Sequence, residues 1–181
     1  MLTAERAGVV LRGVPAGVRR VGVFADQSPE EIARIVGILG LDVVQLHGAV
    51  DRERIAVVRR SANVGIWPVA RVAGDRLPEA VPELLDLGDG LLLDAFVPGL
   101  LGGTGVSLHW LPLADELERI RGNRPIILAG GLRPENVGEA IAALRPNVVD
   151  VSSGVESAPG IKDSGRLRAF REAVAHASIS T

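Results

Sequence analysis

Pro125-Ile126-Ile127-Leu128-Ala129-Gly130-Gly131-Leu132-Arg133-Pro134-Glu135-Asn136 is an apolar run that empties into a glycine pair and then a helix start. Further on, Val148-Val149-Asp150-Val151-Ser152-Ser153-Gly154-Val155-Glu156 does the same with serines in the turn. A short apolar run without alternation reads as a strand buried on both faces, the kind found in parallel sheets. A Gly/Ser turn at the end of such a strand exposes main-chain N–H groups uncrowded by side chains. Two such turns, about one βα repeat apart, make a cradle for a dianion at the end of a parallel β/α barrel. The pair points to a small phosphorylated substrate held by Gly130, Gly131, Ser152, Ser153 and Gly154.

The same beat runs through the rest of the chain. Apolar runs fall at 21–24, 43–46, 66–69, 90–93, 126–129 and 148–151. Their starts lie roughly 22 to 24 residues apart, except for one longer interval before residue 126. Helical patterns lie between them. Ser28-Pro29-Glu30-Glu31 supplies an N-cap, a proline at N1 and acids in the first turn. Ile32, Ile35, Val36 and Leu39 then mark one face. Residues 51–60 and 111–121 read as helices, and 76–87 as a poorer one broken by Pro78 and Pro82. The Arg133–Asn136 tetrapeptide opens a helix with Val137, Ala140, Ile141 and Leu144 inward, and 163–176 forms the last. One more helix, 2–12, precedes everything. Six βα units after a helix fit an open doubly wound sheet or an incomplete barrel. The two anion turns on the last two strands favour the barrel. The expected fold is α/β, an N-terminally incomplete (βα)8 barrel forming a single domain over 1–181.

Bulk properties narrow the function classes. A formal net charge of −2 offers no electrostatic footprint for nucleic acid or an anionic membrane. Aromatics at 3% argue against base-stacking platforms. No apolar run approaches the ~20 residues of a membrane span, and no signal-peptide pattern is present, so a cytoplasmic protein is expected. Cysteine is absent, which removes disulfides, thiolate metal sites and cysteine nucleophiles from these residues. No His/Asp/Glu cluster has metal-ligand spacing, and no cofactor is expected.

Further candidates sit at C-terminal strand ends, the catalytic face of a barrel. In Val44-Gln45-Leu46-His47-Gly48, Gln45 can hydrogen-bond a substrate, and His47 either assists proton transfer or caps the strand. Asp94 ends the run Leu91-Leu92-Leu93. An acid there is desolvated unless paired, which suits a general acid; capping of the following turn is the alternative. Gly102, Gly103 and Gly105, in Leu101-Gly102-Gly103-Thr104-Gly105, form a lid or a plain flexible excursion. They fit neither a Walker A loop nor a dinucleotide fingerprint. Lys162 is the only lysine; it either screens a bound anion or is solvated. His109 and His176 read as loop and helix-surface residues, and Asp150 lies within the last strand.

In this order the pieces resemble phosphoribosylanthranilate isomerase of tryptophan biosynthesis. The resemblance rests on Val21-Gly22-Val23-Phe24 with Ser28-Pro29-Glu30, Gln45-Leu46-His47-Gly48, Leu92-Leu93-Asp94 and Gly102-Gly103-Thr104-Gly105. It continues through Leu128-Ala129-Gly130-Gly131-Leu132 with Pro134-Glu135-Asn136-Val137, and Asp150-Val151-Ser152-Ser153-Gly154-Val155-Glu156 with Pro159-Gly160-Ile161-Lys162-Asp163. It covers essentially the whole chain and implies a (βα)8 barrel with no metal and no organic cofactor. The implied reaction is an Amadori rearrangement of N-(5-phosphoribosyl)anthranilate. Asp94 takes the place of the family's general acid, the glycine-rich loop covers the substrate, and the last two strand-end loops hold the phosphate. Indole-glycerol-phosphate and thiamin-phosphate synthases, other phosphate-binding barrels, lack the Gln-Leu-His-Gly and Val-Ser-Ser-Gly-Val-Glu pair.

The departure lies at the N-terminus. The resembled family begins with β1-α1-β2, carrying a Cys-Gly strand that supplies the general base and a loop arginine that meets the substrate. Residues 1–181 contain no counterpart. Expected consequences are exposed edges on strands 21–24 and 148–151, and with them either an aggregation-prone chain or a homodimer across the open barrel seam. The alternative to the isomerase is an inactive phosphosugar-binding remnant, or a fragment with its start codon placed too late.

Overall fold

The computed structural model describes residues 3–48, 50–95 and 110–179. Its chain divides into two compact units, Met1–Val69 with Glu83–Leu91, and Ala70–Pro82 with Leu92–Thr181. Six strands follow one another along the chain. They are β1 (Val21–Phe24), β2 (Val43–Leu46), β3 (Gly65–Val72), β4 (Leu91–Ala95), β5 (Ile126–Ala129) and β6 (Val148–Val149).

In the first unit, helix α1 (Ala4–Leu11) is capped by Thr3 and packs on α2 (Pro29–Leu39) without burying any residue of its own. The Ser28 hydroxyl caps α2 by accepting from the Glu31 N–H at 3.3 Å. Gly40, at φ 59°, ends that helix in the left-handed conformation; its N–H and that of Leu41 both reach the Val36 carbonyl. Asp51 caps α3 (Arg52–Ser61) the same way through the Arg54 N–H at 2.8 Å. Strands β1, β2 and β3 pair in parallel, with Val23, Gln45 and Trp67 in one row and Phe24, Leu46 and Pro68 in the next. Val44, Leu46 and Ile66 are fully buried, each worth roughly 1.5–3 kcal/mol of transfer free energy. Val21 and Val23 on β1 are instead 38% and 64% exposed, the apolar edge that the sequence leads one to expect.

In the second unit, β5 is buried along its whole length and pairs in parallel with β6. Helices α5 (Trp110–Arg121), α6 (Val137–Leu144) and α7 (Ser164–Ile179) pack successively. Val137, Ala140, Ile141 and Leu144 are all buried, as their spacing requires. Three differences from the sequence reading bear on the site. Strand β6 stops at Val149, although the Asp150 N–H still reaches the Leu128 carbonyl at 2.8 Å. Helix α4 is reduced to Val81–Leu87, beginning after Pro78. A hairpin the sequence did not suggest, β7 (Glu156–Ala158) with β8 (Ile161–Lys162), separates a 3₁₀ turn (Ser153–Val155) from α7.

Candidate active site

The second unit builds the anion turns. Gly130 and Gly131 follow β5 with φ of 88° and 61°, a region that side-chain-bearing residues rarely enter. A Cβ on Gly131 would meet nothing within 4 Å, so this turn faces open space. The turn is held from behind by Asn136. Its Oδ1 accepts from the Arg133 N–H at 2.9 Å, and its Nδ2 donates to the Gly131 carbonyl at 3.1 Å. Asn136 makes no side-chain cap to α6, and the helix starts one residue later, at Val137. Among the described residues no backbone carbonyl takes the Gly131 or Leu132 N–H.

The second turn follows β6. Ser153–Val155 is a 3₁₀ turn whose first amides lack acceptors within the turn. A Cβ on Gly154 would lie 1.8 Å from the Leu132 carbonyl oxygen and 3.1 Å from the Arg133 Cβ. The two turns thus touch backbone to backbone, and only glycine permits it. Ser152 and Ser153 are exposed and Gly154 is half-buried. Among the described residues no backbone carbonyl takes the Ser153 or Gly154 N–H either, and uncovered N–H groups at adjacent strand ends can bind an anion through main-chain dipoles.

Asp94 lies on β4 in the same unit. Leu91, Leu92 and Leu93 before it are at most 1% exposed, whereas Asp94 is half-buried. Its desolvation is therefore partial.

In the first unit, Gln45 is 7% exposed, the only buried polar side chain among the described residues. Its Nε2 lies 2.5 Å from His47 Nε2. The His47 backbone N–H donates to the Phe24 carbonyl at 2.7 Å, so the main chain ties this residue to β1. Arg54, which sequence reasoning missed, donates through Nη2 to the carbonyls of Ala25 and Gln27, while Gln27 Oε1 accepts the Ala25 N–H. It fastens the loop after β1; no motif in the sequence marks it.

Gly102, Gly103, Gly105 and His109 lie outside the described residues. No group of three or more His, Asp or Glu among the described residues is placed to hold a metal, and no described helix is long and apolar enough to cross a membrane.

The sequence profile of N-(5'-phosphoribosyl)anthranilate (PRA) isomerase matches residues 2–173. The chain belongs to this family. It is 42% identical over 173 residues to the N-(5'-phosphoribosyl)anthranilate isomerase of Rubrobacter xylanophilus, covering 92% of this chain and 78% of the relative. The crystal structure of phosphoribosyl anthranilate isomerase from Thermotoga maritima superimposes with a TM-score of 0.85 at 32% identity, covering 97% of this chain and 82% of that one. A second solved isomerase holds reduced 1-(o-carboxyphenylamino)-1-deoxyribulose 5-phosphate; it matches with a TM-score of 0.81 at 31% identity, covering 97% and 80%. The fold is accordingly α/β, of the β/α-barrel kind that this isomerase family shares.

Proposed function

We propose that the chain catalyses the Amadori rearrangement of N-(5-phosphoribosyl)anthranilate to its 1-deoxyribulose 5-phosphate isomer, a step of tryptophan biosynthesis. The family match across residues 2–173 carries this reading, and the paired amide turns support it. The phosphate dianion docks on the main-chain N–H groups of Gly131, Leu132, Ser153 and Gly154. Gly130 and Ser152 shape the turns.

Asp94 is the general acid. It protonates the furanose ring oxygen as the C1–O bond breaks, leaving a Schiff base between C1 and the anthranilate nitrogen. A base then removes the C2 proton, and the electron pair moves into the C1–C2 bond to give an enolamine. Tautomerisation delivers the C2 ketone. Carbon 2 is oxidised and carbon 1 reduced within one molecule, so electrons balance without an external partner. The resembled family uses a cysteine as base. That residue type is absent from these 181 positions, and we assign the base to none of them.

The test is the change of anthranilate fluorescence on conversion. Wild type turns over, and Asp94→Asn loses roughly 10²–10⁴-fold in rate while keeping its affinity for ribose 5-phosphate. Binding without turnover in the wild type would instead make the chain a phosphosugar-binding remnant. We also infer a homodimer through the β1 edge, where Val23 is 64% exposed, and residence in the cytoplasm, where such phosphorylated metabolites are found.

A further inference from the structure

We propose that Lys162 is a positioning residue for the phosphate-binding turn and never touches the phosphate. The inference rests on the anion-cradle reading above and adds a residue to it.

An ammonium has three protons to donate. Lys162 Nζ lies 2.7 Å from Glu156 Oε1, 2.9 Å from the Ser152 carbonyl oxygen and 3.4 Å from Ser152 Oγ. Its contacts within the protein match its three protons in number, so the ammonium is directed at Glu156 and Ser152. The hairpin sets this up: Glu156 on β7 and Lys162 on β8 are register partners across the turn at Gly160, whose φ is 78°. Glu156 Oε2 in turn accepts the Gly160 N–H at 3.1 Å, and Arg166 Nη1 donates to the Glu156 carbonyl. The base of the hairpin is tied at the Asp163 N–H, which reaches the Val155 carbonyl at 2.8 Å.

The Ser152 carbonyl belongs to the same planar peptide as the Ser153 N–H. In a trans peptide the two point in opposite directions. Drawing the carbonyl toward Lys162 therefore aims the Ser153 N–H away from the hairpin, and polarisation by the ammonium strengthens that N–H as a donor. The ion pair is half-exposed, with side-chain exposures of 43% and 14%. Such pairs add little to stability, so its chief effect is the direction of one peptide plane.

The experiment is isothermal titration with inorganic phosphate and with ribose 5-phosphate, on wild type, Lys162→Met, Lys162→Arg, Glu156→Ala and the Lys162→Met/Glu156→Ala double variant. Thermal melting of each checks folding. The clasp predicts that Lys162→Met and Glu156→Ala each weaken binding about tenfold. It predicts that the double variant is no weaker than Lys162→Met alone, that Lys162→Arg recovers most of the loss, and that KM rises while kcat stays level. If Lys162 contacted the phosphate directly, Glu156→Ala would free the ammonium and binding would hold or tighten; that sign overturns the inference, as does wild-type affinity in every variant. Should Lys162→Met fail to fold, the Glu156→Ala arm alone gives the sign. Absence of any phosphate binding by the wild type removes the cradle reading itself, and the clasp with it.

Discussion

At the scale of single residues, the two glycines of the cradle are required for different reasons, and their alanine variants separate those reasons. Gly131 has open space around its missing Cβ and is constrained only by its φ of 61°, so Gly131→Ala costs about 1–2 kcal/mol and leaves a folded chain. Gly154 is constrained by contact: its Cβ would sit 1.8 Å from a backbone oxygen, so the two turns must part. Gly154→Ala is expected to abolish phosphate binding while Gly131→Ala weakens it, as read by titration beside thermal melting. Equal effects would mean that the turns do not interlock. The glycines were legible in the sequence because Gly/Ser turns after apolar runs are local features. Lys162 was visible only as a lone lysine, because its partners Ser152 and Glu156 are joined to it by a hairpin of strands too short to read. Asn136 was read as part of a helix start and its carbonyl does take the Ala140 N–H, but its side chain bonds backward to Gly131 and Arg133, which the sequence did not show.

At the scale of elements, the β7–β8 hairpin carries a pH dependence. The Glu156 carboxyl is held below its ordinary value of 4.5, first by the hydrogen bond from Lys162 and then by the Gly160 N–H. A group with a depressed folded pKa stabilises the fold above its unfolded pKa, and that contribution drains as pH falls through the folded value. Because the pair is solvent-screened, melting temperatures of wild type and Glu156→Gln should differ only slightly at pH 7 and converge on acidification below 4.5. A constant gap would show that the carboxylate charge plays no part. The caps behave more simply. Ser28→Ala removes the acceptor of the Glu31 N–H and should cost about 1 kcal/mol in a denaturant titration. Helix caps and the βα beat were readable because they depend on neighbours within a few residues. The length of β6 was not: its apolar run continues to Val151, but the chain leaves the ladder to make the serine turn.

At the scale of the molecule, the exposed valines of β1 have a consequence. An apolar edge with unpaired backbone groups favours pairing with another chain, and Val23→Lys should lower the sedimentation-derived association of the 181-residue chain. Unchanged association would place the contact elsewhere. The barrel class was legible from strand spacing and turn placement alone, whereas the ties that aim the cradle's amides depend on contacts between elements. The central claim is that a phosphate dianion docks on main-chain amides at two adjacent strand ends. The most direct measurement is a ¹H–¹⁵N amide titration with ribose 5-phosphate. Shifts concentrated on Gly131, Leu132, Ser153 and Gly154, and saturating together, are the predicted result. Saturating shifts that leave those four amides unmoved would contradict it.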